Sequence, residues 1–304
     1  MKLDLIAIAD LCIDILIDAQ VKPAYGQVEQ LADQYAIDLG GSVGIFASQI
    51  AKLGGSIGVI SKIGDDPQGR IILESLEKAG VDLSLVEIIP DEQTPMGLNL
   101  SCKGDRAMLT YLGTLKLIEP SVFTPLLVDR ASHWHIGSYF LLNNLIPYWP
   151  GWIKTLKEAG VTVSLDTNWD PDGDWTRVQE ILPLIDVFLP NEAEALAISG
   201  KANLLEAGQF LSTQCPLVVI KRGGEGALLF AENEVIDFKI PADLLVNLNI
   251  VDTTGAGDNF DAGFIFEWLA GQDYNTCLYR GVQCGTESLK ALGGVKSQIL
   301  LNRI

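Results

Sequence analysis

The sequence predicts an α/β protein: a mainly parallel central sheet flanked by helices, with a small second β-sheet added to it. Three observations lead there. Strand-like and helix-like apolar patterns alternate along most of the 304 residues, the rhythm of parallel strands joined by helical crossovers. Short strand-like pieces cluster at residues 85–89, 96–102 and 107–112, which suits a small sheet set beside a larger body. Finally, Asp252-Thr253-Thr254-Gly255-Ala256-Gly257-Asp258 lies between an apolar run at residues 244–251 and a helical run in which Phe260, Phe264 and Trp268 recur every four residues. That reads as strand, Gly-rich turn and helix start.

Residues 3–17, rich in Ile and Leu, are expected to form a buried strand that runs on into a more exposed one carrying Asp14. Asp38-Leu39-Gly40-Gly41-Ser42 then opens a helix whose apolar residues Ile45, Phe46, Ile50 and Leu53 share one broad face. Ser42 is the expected N-cap, and the two glycines allow a ligand close to the backbone. A strand at residues 54–63 and an amphipathic helix at 70–79 follow, the helix ended by Gly80. Lys103-Gly104-Asp105-Arg106 is the expected hairpin turn between the strands at 96–102 and 107–112.

From Ser132 to Ser138 the pattern alternates, so His133 and His135 share a strand face. No third metal ligand lies near them in sequence, which favours a structural role, and a chain with two histidines is a poor prospect for Ser-His-Asp hydrolysis. A helix at 153–159, a strand at 161–165, a helix at 178–184 and a strand at 187–189 continue the alternation. Sites in such sheets form at the carboxyl ends of strands. Asp166 and Asn168 follow one such end; Asn191 and Glu194 follow the next. Asn191 and Glu194 share a helix face, and their hard oxygens suit Mg²⁺ held through water, or simply a helix start with an Asn cap. A strand at 217–220 leads into Lys221-Arg222-Gly223-Gly224-Glu225-Gly226, whose spacing is neither a Walker A loop nor a dinucleotide fingerprint.

A net charge of −18 argues against nucleic acid or an anionic membrane as partner. The five cysteines (Cys12, Cys102, Cys215, Cys277, Cys284) lack Cys-x-x-Cys pairing, so neither a disulfide framework nor a zinc site is expected, which suits a reducing cytoplasm. Asp4, Asp10, Asp14 and Asp18 interrupt the N-terminal apolar run as no signal peptide or membrane span would.

The chemistry concentrates at residues 252–258. The first N–H groups of a helix have no intrahelical partner, and the macrodipole adds positive charge there. Small residues at 255 to 257 let an anion approach. Asp258 would repel that anion, so it reads as a proton acceptor kept ionised by the helix N-terminus. Cradle and base together describe phosphoryl transfer to a hydroxyl; the alternative is an acidic first turn that only complements the dipole.

The run Asp-Thr-Thr-Gly-Ala-Gly-Asp-x-Phe-x-x-Gly-Phe resembles the C-terminal signature of the ribokinase-like (PfkB) carbohydrate kinases, and residues 40–69 resemble their N-terminal signature. The likeness runs along nearly the whole chain. It implies one Rossmann-like ribokinase domain over residues 1–304, with lid strands within 12–38 and 94–114, and often pairing of subunits through that lid. ATP with Mg²⁺ would be the donor and a sugar or nucleoside hydroxyl the acceptor. Asp258 would be the base, with Gly255, Ala256 and Gly257 holding the transferring group. Asp14, Gly40, Gly41, Ser42, Asp166 and Asn168 would meet the acceptor, and Arg106 would reach it or remain an exposed hairpin residue. Asn191, Glu194, Lys221, Gly223 and Gly226 would serve the nucleotide. The helix at 275–291 and the turn Gly293-Gly294-Val295-Lys296-Ser297 would enclose adenine on one side and, with Asp252, Thr254 and Ser297, K⁺ on the other. The chain departs from the pattern at Ala9, where Gly is usual, and at Ile45, where Asn is usual; Ile45 implies a less polar acceptor pocket. A nucleoside kinase, a phosphofructokinase and a non-catalytic sugar-binding regulator are the competing readings.

Overall fold

The computed structural model describes residues 2–19, 21–102, 105–170, 172–232 and 234–301, apart from the side chains of Cys102, Asp105 and Arg106. The chain begins with β1 (Leu3–Ile8), β2 (Cys12–Asp18), β3 (Gln34–Gly40), α1 (Ser42–Leu53), β4 (Ile57–Gly64), α2 (Pro67–Ala79) and β5 (Val86–Ile89). Next come β6 (Met96–Cys102), β7 (Asp105–Tyr111), the short α3 (Pro125–Val128), β8 (Ala131–Ile136), α4 (Trp149–Glu158), β9 (Thr162–Leu165), α5 (Thr176–Ile181) and β10 (Val187–Phe188). It continues through α6 (Glu192–Ser199), α7 (Leu204–Ser212), β11 (Leu217–Lys221), β12 (Ala227–Ala231), β13 (Glu234–Phe238), the short α8 (Ala242–Leu245), α9 (Ala256–Leu269) and α10 (Tyr274–Ser288).

Among the described residues the larger sheet has nine strands in the order β13-β12-β11-β10-β9-β8-β1-β4-β5. All neighbours from β11 to β5 pair parallel, and β12 and β13 close one edge antiparallel. Both faces are covered, so the central strands are apolar throughout. Alternate residues of β1 show why: Leu5 and Ala7 join a core with Phe46 and Ile50 of α1, Ile72 of α2 and Phe264 of α9. Ile6 and Ile8 point the other way, into a core with Ile153 of α4, Val178 of α5 and Leu211 of α7. Parallel pairing brings the carboxyl ends of β1, β8, β9, β10 and β11 to one edge, and with them Asp10, Ser138, Asp166, Asn191 and Lys221.

Among the described residues four strands form the second sheet, ordered β3-β2-β6-β7. Its register sorts the side chains by face. Ile15 lies opposite Ile37 and Leu98, Ile17 opposite Tyr35 and Leu100, and Leu98 opposite Leu109, which makes one face apolar. The other face carries Asp14 opposite Asp38 and Gly97, then Asn99.

Several expectations need correction. Residues 85–89 belong to the large sheet, not the small one: β5 returns from α2 and pairs parallel with β4, Ser61 opposite Val86. The helix expected at 70–79 starts three residues earlier, because Asp66 caps it by accepting from the Gly69 N–H and Pro67 occupies its first turn. No strand forms at residues 244–251. This run leaves α8 as irregular chain with Leu245 and Ile250 about half exposed, its apolar side chains lining a cleft instead of entering a sheet. The hairpin turn at 103–106 includes Lys103 and Gly104, outside the described residues, as is the side chain of Arg106.

Candidate active site

A cleft of about 600 Å³ opens along the carboxyl edge of the sheet. The first turn of α9 forms its end, with Gly255, Ala256, Gly257 and Asp258 all lining it. Gly255 supplies the left-handed backbone (φ 72°) that turns the chain into the helix. Among the described residues no side chain caps this helix; the Ala256 N–H reaches the Thr253 carbonyl at 3.4 Å, and the N–H groups that follow are open to a ligand. Ser42, Asp166, Asn168, Asn191, Glu194, Lys221, Gly223 and Gly226 line the same cleft, and Leu245, Leu248, Ile250, Val282 and Leu289 form an apolar wall.

Asp258 is not the fully ionised group its helix position alone would give. Burial, then the negative charge of Asp166, pushes its carboxyl up to about 7, against the pull of Lys221 and a hydrogen bond from Ser42. It therefore holds a proton far more readily than an ordinary aspartate. Glu194 is likewise pushed up to about 7, by burial and by Asp166. With Asn191 it forms a capping box: Asn191 Oδ1 accepts from the Glu194 N–H at 2.9 Å and Glu194 Oε2 from the Asn191 N–H at 2.9 Å. The helix-start reading of this pair thus holds, and the second oxygen of Glu194 lies outside that box.

Lys221 does not wait as a free cation for phosphate. Its ammonium donates to Asp166 at 3.0 Å and to Asp261 at 2.8 Å. Burial works to raise Asp166, but Lys221 outweighs it and holds that carboxyl below the usual range. Asn168 is in the left-handed region (φ 60°) and accepts from the Phe140 N–H at 3.1 Å, which fixes it at the cleft wall. His133 and His135 are buried and bonded to Thr162 and Ser164, with His135 held down to about 3 by burial, in keeping with a structural role.

The capping expectation at Ser42 is replaced by a residue that sequence reasoning left without a role. Gly41, not Ser42, sits at the cap position, and the carboxylate of Asp10 reaches across from the end of β1 to accept from the Ser42 N–H at 3.0 Å and the Val43 N–H at 2.9 Å. It also accepts the Ser138 hydroxyl. A side chain at Gly41 would strike the Asp10 carbonyl, and its φ of 83° disfavours one in any case. Asp14, on β2, lies between Gly40 and Gly97; a Cβ on Gly97 would stand 2.5 Å from its carboxylate. Burial and then Asp10 push Asp14 up to about 6.

Ile45 is 2% exposed and lies under the turn that opens α9, where a Cβ on Gly255 or Gly294 would come within 2.9 or 2.5 Å of its Cδ1. The reason is the α1 register, which turns residue 45 toward α9. Asn259, also unassigned from sequence, ties the same region together: its amide donates to the Gly255 and Gly294 carbonyls at 2.8 and 2.9 Å and accepts from Gln298. Asp252 accepts from the Thr254 N–H and hydroxyl and from the Gly293 N–H, joining the two loops that precede and follow α9 and α10. Ser297 follows on the second of these loops. Among the described residues no group of three His, Cys, Asp or Glu has metal-site geometry, and no helix is long and apolar enough to cross a membrane.

Residues 3–299, nearly the whole chain, match the pfkB family of carbohydrate kinases. The chain belongs to this family. An ATP-dependent ribose-1-phosphate kinase of Halopiger xanaduensis is 31% identical over 253 residues, covering 81% of this chain and 78% of the relative. A 2-dehydro-3-deoxygluconokinase of Bacillus subtilis is 29% identical over 293 residues, covering 88% and 86%. The fold is that of the Arabidopsis thaliana ribokinase complexed with ribose and ATP (TM-score 0.79, 23% identity, 98% and 96% covered). The pfkB protein described here is thus a carbohydrate kinase of ribokinase fold, with a mostly parallel large sheet and a separate small one.

Proposed function

We propose that this kinase transfers the γ-phosphoryl group of ATP to a hydroxyl of a small sugar or sugar-like acceptor, with Asp258 as the base. The observation that carries the reading is Asp258 in the first turn of α9, facing the cleft beside the N–H groups of residues 256 and 257. A carboxyl near 7 is matched to taking a proton at physiological pH. The acceptor hydroxyl gives its proton to Asp258 and attacks the γ-phosphorus in line, the bond from that phosphorus to the β–γ bridging oxygen breaks and ADP leaves, while the N–H groups after Gly255 meet the charge that develops on the transferring group. Gly223 and Gly226 run along the nucleotide, and the apolar wall at Leu245, Leu248, Ile250, Val282 and Leu289 receives its base.

The residues fit Mg²⁺ held through water: Glu194 has one oxygen outside the capping box, and its raised carboxyl marks a place short of positive charge. Bound there with ATP, the ion would neutralise phosphate charge; Glu194 and Asn191 would orient its waters. The bonds from Thr254 and Gly293 to Asp252 support a K⁺ site at these loops, with Ser297 as a further ligand, and higher activity in K⁺ than in a bulky organic cation at equal ionic strength tests it.

Asp14, Gly40, Gly41, Ser42, Asp166 and Asn168 are the proposed acceptor contacts, with the polar face of the small sheet acting as lid. Its other face supports pairing with a second copy. Tyr35 and Leu109 on that apolar face are 73% and 65% exposed, and sedimentation of a Leu109→Asp variant as a monomer would separate this from an isolated lid. Buried free thiols at Cys12, Cys215, Cys277 and Cys284 suit a reducing cytoplasm. The deciding experiment is a screen of sugars and nucleosides for Mg·ATP consumption, with Asp258→Asn as control. Turnover that survives in the control sinks the assignment.

A further inference from the structure

Lys221 ends β11 with its side chain 11% exposed and its ammonium between two carboxylates, Asp166 Oδ2 and Asp261 Oδ2. Asp261, in the second turn of α9, is fully buried, and its Oδ1 has no hydrogen-bond donor among the described residues. An orphan oxygen on a buried carboxylate is costly. Two ionised carboxylates on one ammonium would also leave net negative charge under the turn that is to hold a phosphoryl group. Both difficulties disappear if Oδ1 carries a proton and donates it to Asp166 while Oδ2 accepts from Lys221. Asp166 and Asp261 hold the same Lys221 ammonium at 3.0 and 2.8 Å, which brings the two carboxyls together around it, and burial pushes the Asp261 carboxyl well above the usual range. On its other side, the Lys221 ammonium lies 3.4 Å from where a Cβ on Gly257 would stand, against the first turn of α9. The remaining ionisable groups facing this cluster are Glu194, Asp258 and His135, the last neutral.

We propose that Asp261 is a positioning residue: as the neutral acid it holds the Lys221 ammonium against the first turn of α9, so that a fixed positive charge backs the N–H groups that meet the terminal phosphate. The inference rests on reading this turn as the phosphate site. It also explains why a lysine that never reaches freely into the cleft still lines it.

The test compares Mg·ATP and Mg·ADP binding by calorimetry in the full chain and three variants. Lys221→Met is expected to weaken ATP about tenfold and ADP no more than about twofold, since a charge near the γ-phosphate is felt most by ATP. Asp261→Leu should follow Lys221→Met, because the ammonium loses its seat. Asp261→Asn offers an acceptor to Lys221 and a donor to Asp166, and should return ATP affinity to within about threefold of wild type. The infrared band of a protonated carboxyl at pH 8 should be lost in Asp261→Asn. If a single variant does not fold, the Lys221→Met/Asp261→Leu double variant, which removes both groups, carries the same ATP-to-ADP comparison. An unchanged ATP-to-ADP ratio without Lys221, or an Asp261→Asn protein as impaired as Asp261→Leu, overturns the proposal. Wild-type protein that binds neither nucleotide would instead overturn the phosphate-site reading.

Discussion

Replacing Asp258 by Asn is expected to slow turnover and stabilise the fold at the same time. The kinetic half follows from its position: loss of a general base lowers kcat by ~10²-fold or more. With the carboxyl at about 7, wild-type kcat/KM should rise about tenfold for each pH increase of one below that point and level off above about pH 8. The thermodynamic half follows from linkage. The folded group titrates near 7 and the unfolded one near 3.8, so the folded state binds the proton more tightly. Stability from this site is therefore lost as pH rises from about 4 to about 7 and stays lost above. Asn carries no such charge. Allowing for solvent at the cleft, the relief at pH 8 is on the order of 1–3 kcal/mol, or roughly 2–5 °C in Tm, and it should vanish near pH 4. Calorimetric melts at pH 4, 6 and 8, beside pH profiles of kcat/KM with saturating Mg²⁺, measure both. Glu194 and Asp14 titrate in the same range, so the control is the residual activity of the variant: if it keeps the wild-type profile, another group is responsible. A Tm that falls at pH 8 would refute the electrostatic account.

Three further outcomes follow from the packing. Asp10→Ala removes the cap of α1 and leaves Ser138 without its acceptor, and should cost about 2–3 kcal/mol in denaturant melts while raising the KM of the acceptor more than that of ATP. Ile45→Asn would bury an amide under Gly255 and Gly294, lowering stability by about 2–4 kcal/mol with no gain in affinity for ribose over a deoxy sugar; tighter ribose binding would restore Ile45 to the acceptor pocket. Gly97→Ala sets a methyl 2.5 Å from the Asp14 carboxylate and should raise acceptor KM at least tenfold with nucleotide binding intact, as measured by steady-state kinetics and calorimetry.

What the sequence made legible was local. The order Gly-Ala-Gly-Asp with aromatic residues at helical spacing announced a turn, a helix and a carboxylate, and the alternation of strands and helices announced the sheet. What it hid was action at long range. Asp10 caps a helix that starts 32 residues later, and no spacing rule connects the two. The titration of Asp258 depends on Asp166 and Lys221, which arrive from other strands. Asp261 stood inside the quoted motif, yet its role is visible only once β11 delivers Lys221 beside it. Residues 244–251 looked like a strand because cleft-lining and sheet-forming residues share the same composition. The shortness of β5 does not say which sheet it joins; the crossover through α2 does.

The strict alternation in the small sheet puts neighbouring residues under unrelated demands. Asp14 looks toward the proposed acceptor side, while Ile13 and Ile15 look away. Gly97 and Asn99 are flanked in the same way by Met96, Leu98 and Leu100. On the proposed roles of the two faces, a mutational scan of β2 and β6 should therefore give a two-residue beat, with acceptor preference changing at 14, 97 and 99 and the proposed subunit association at 15, 17, 98 and 100. The two properties can be tuned one residue apart, and a one-residue insertion in β2 would exchange them, turning Asp14 toward the apolar side and an isoleucine toward the proposed acceptor side.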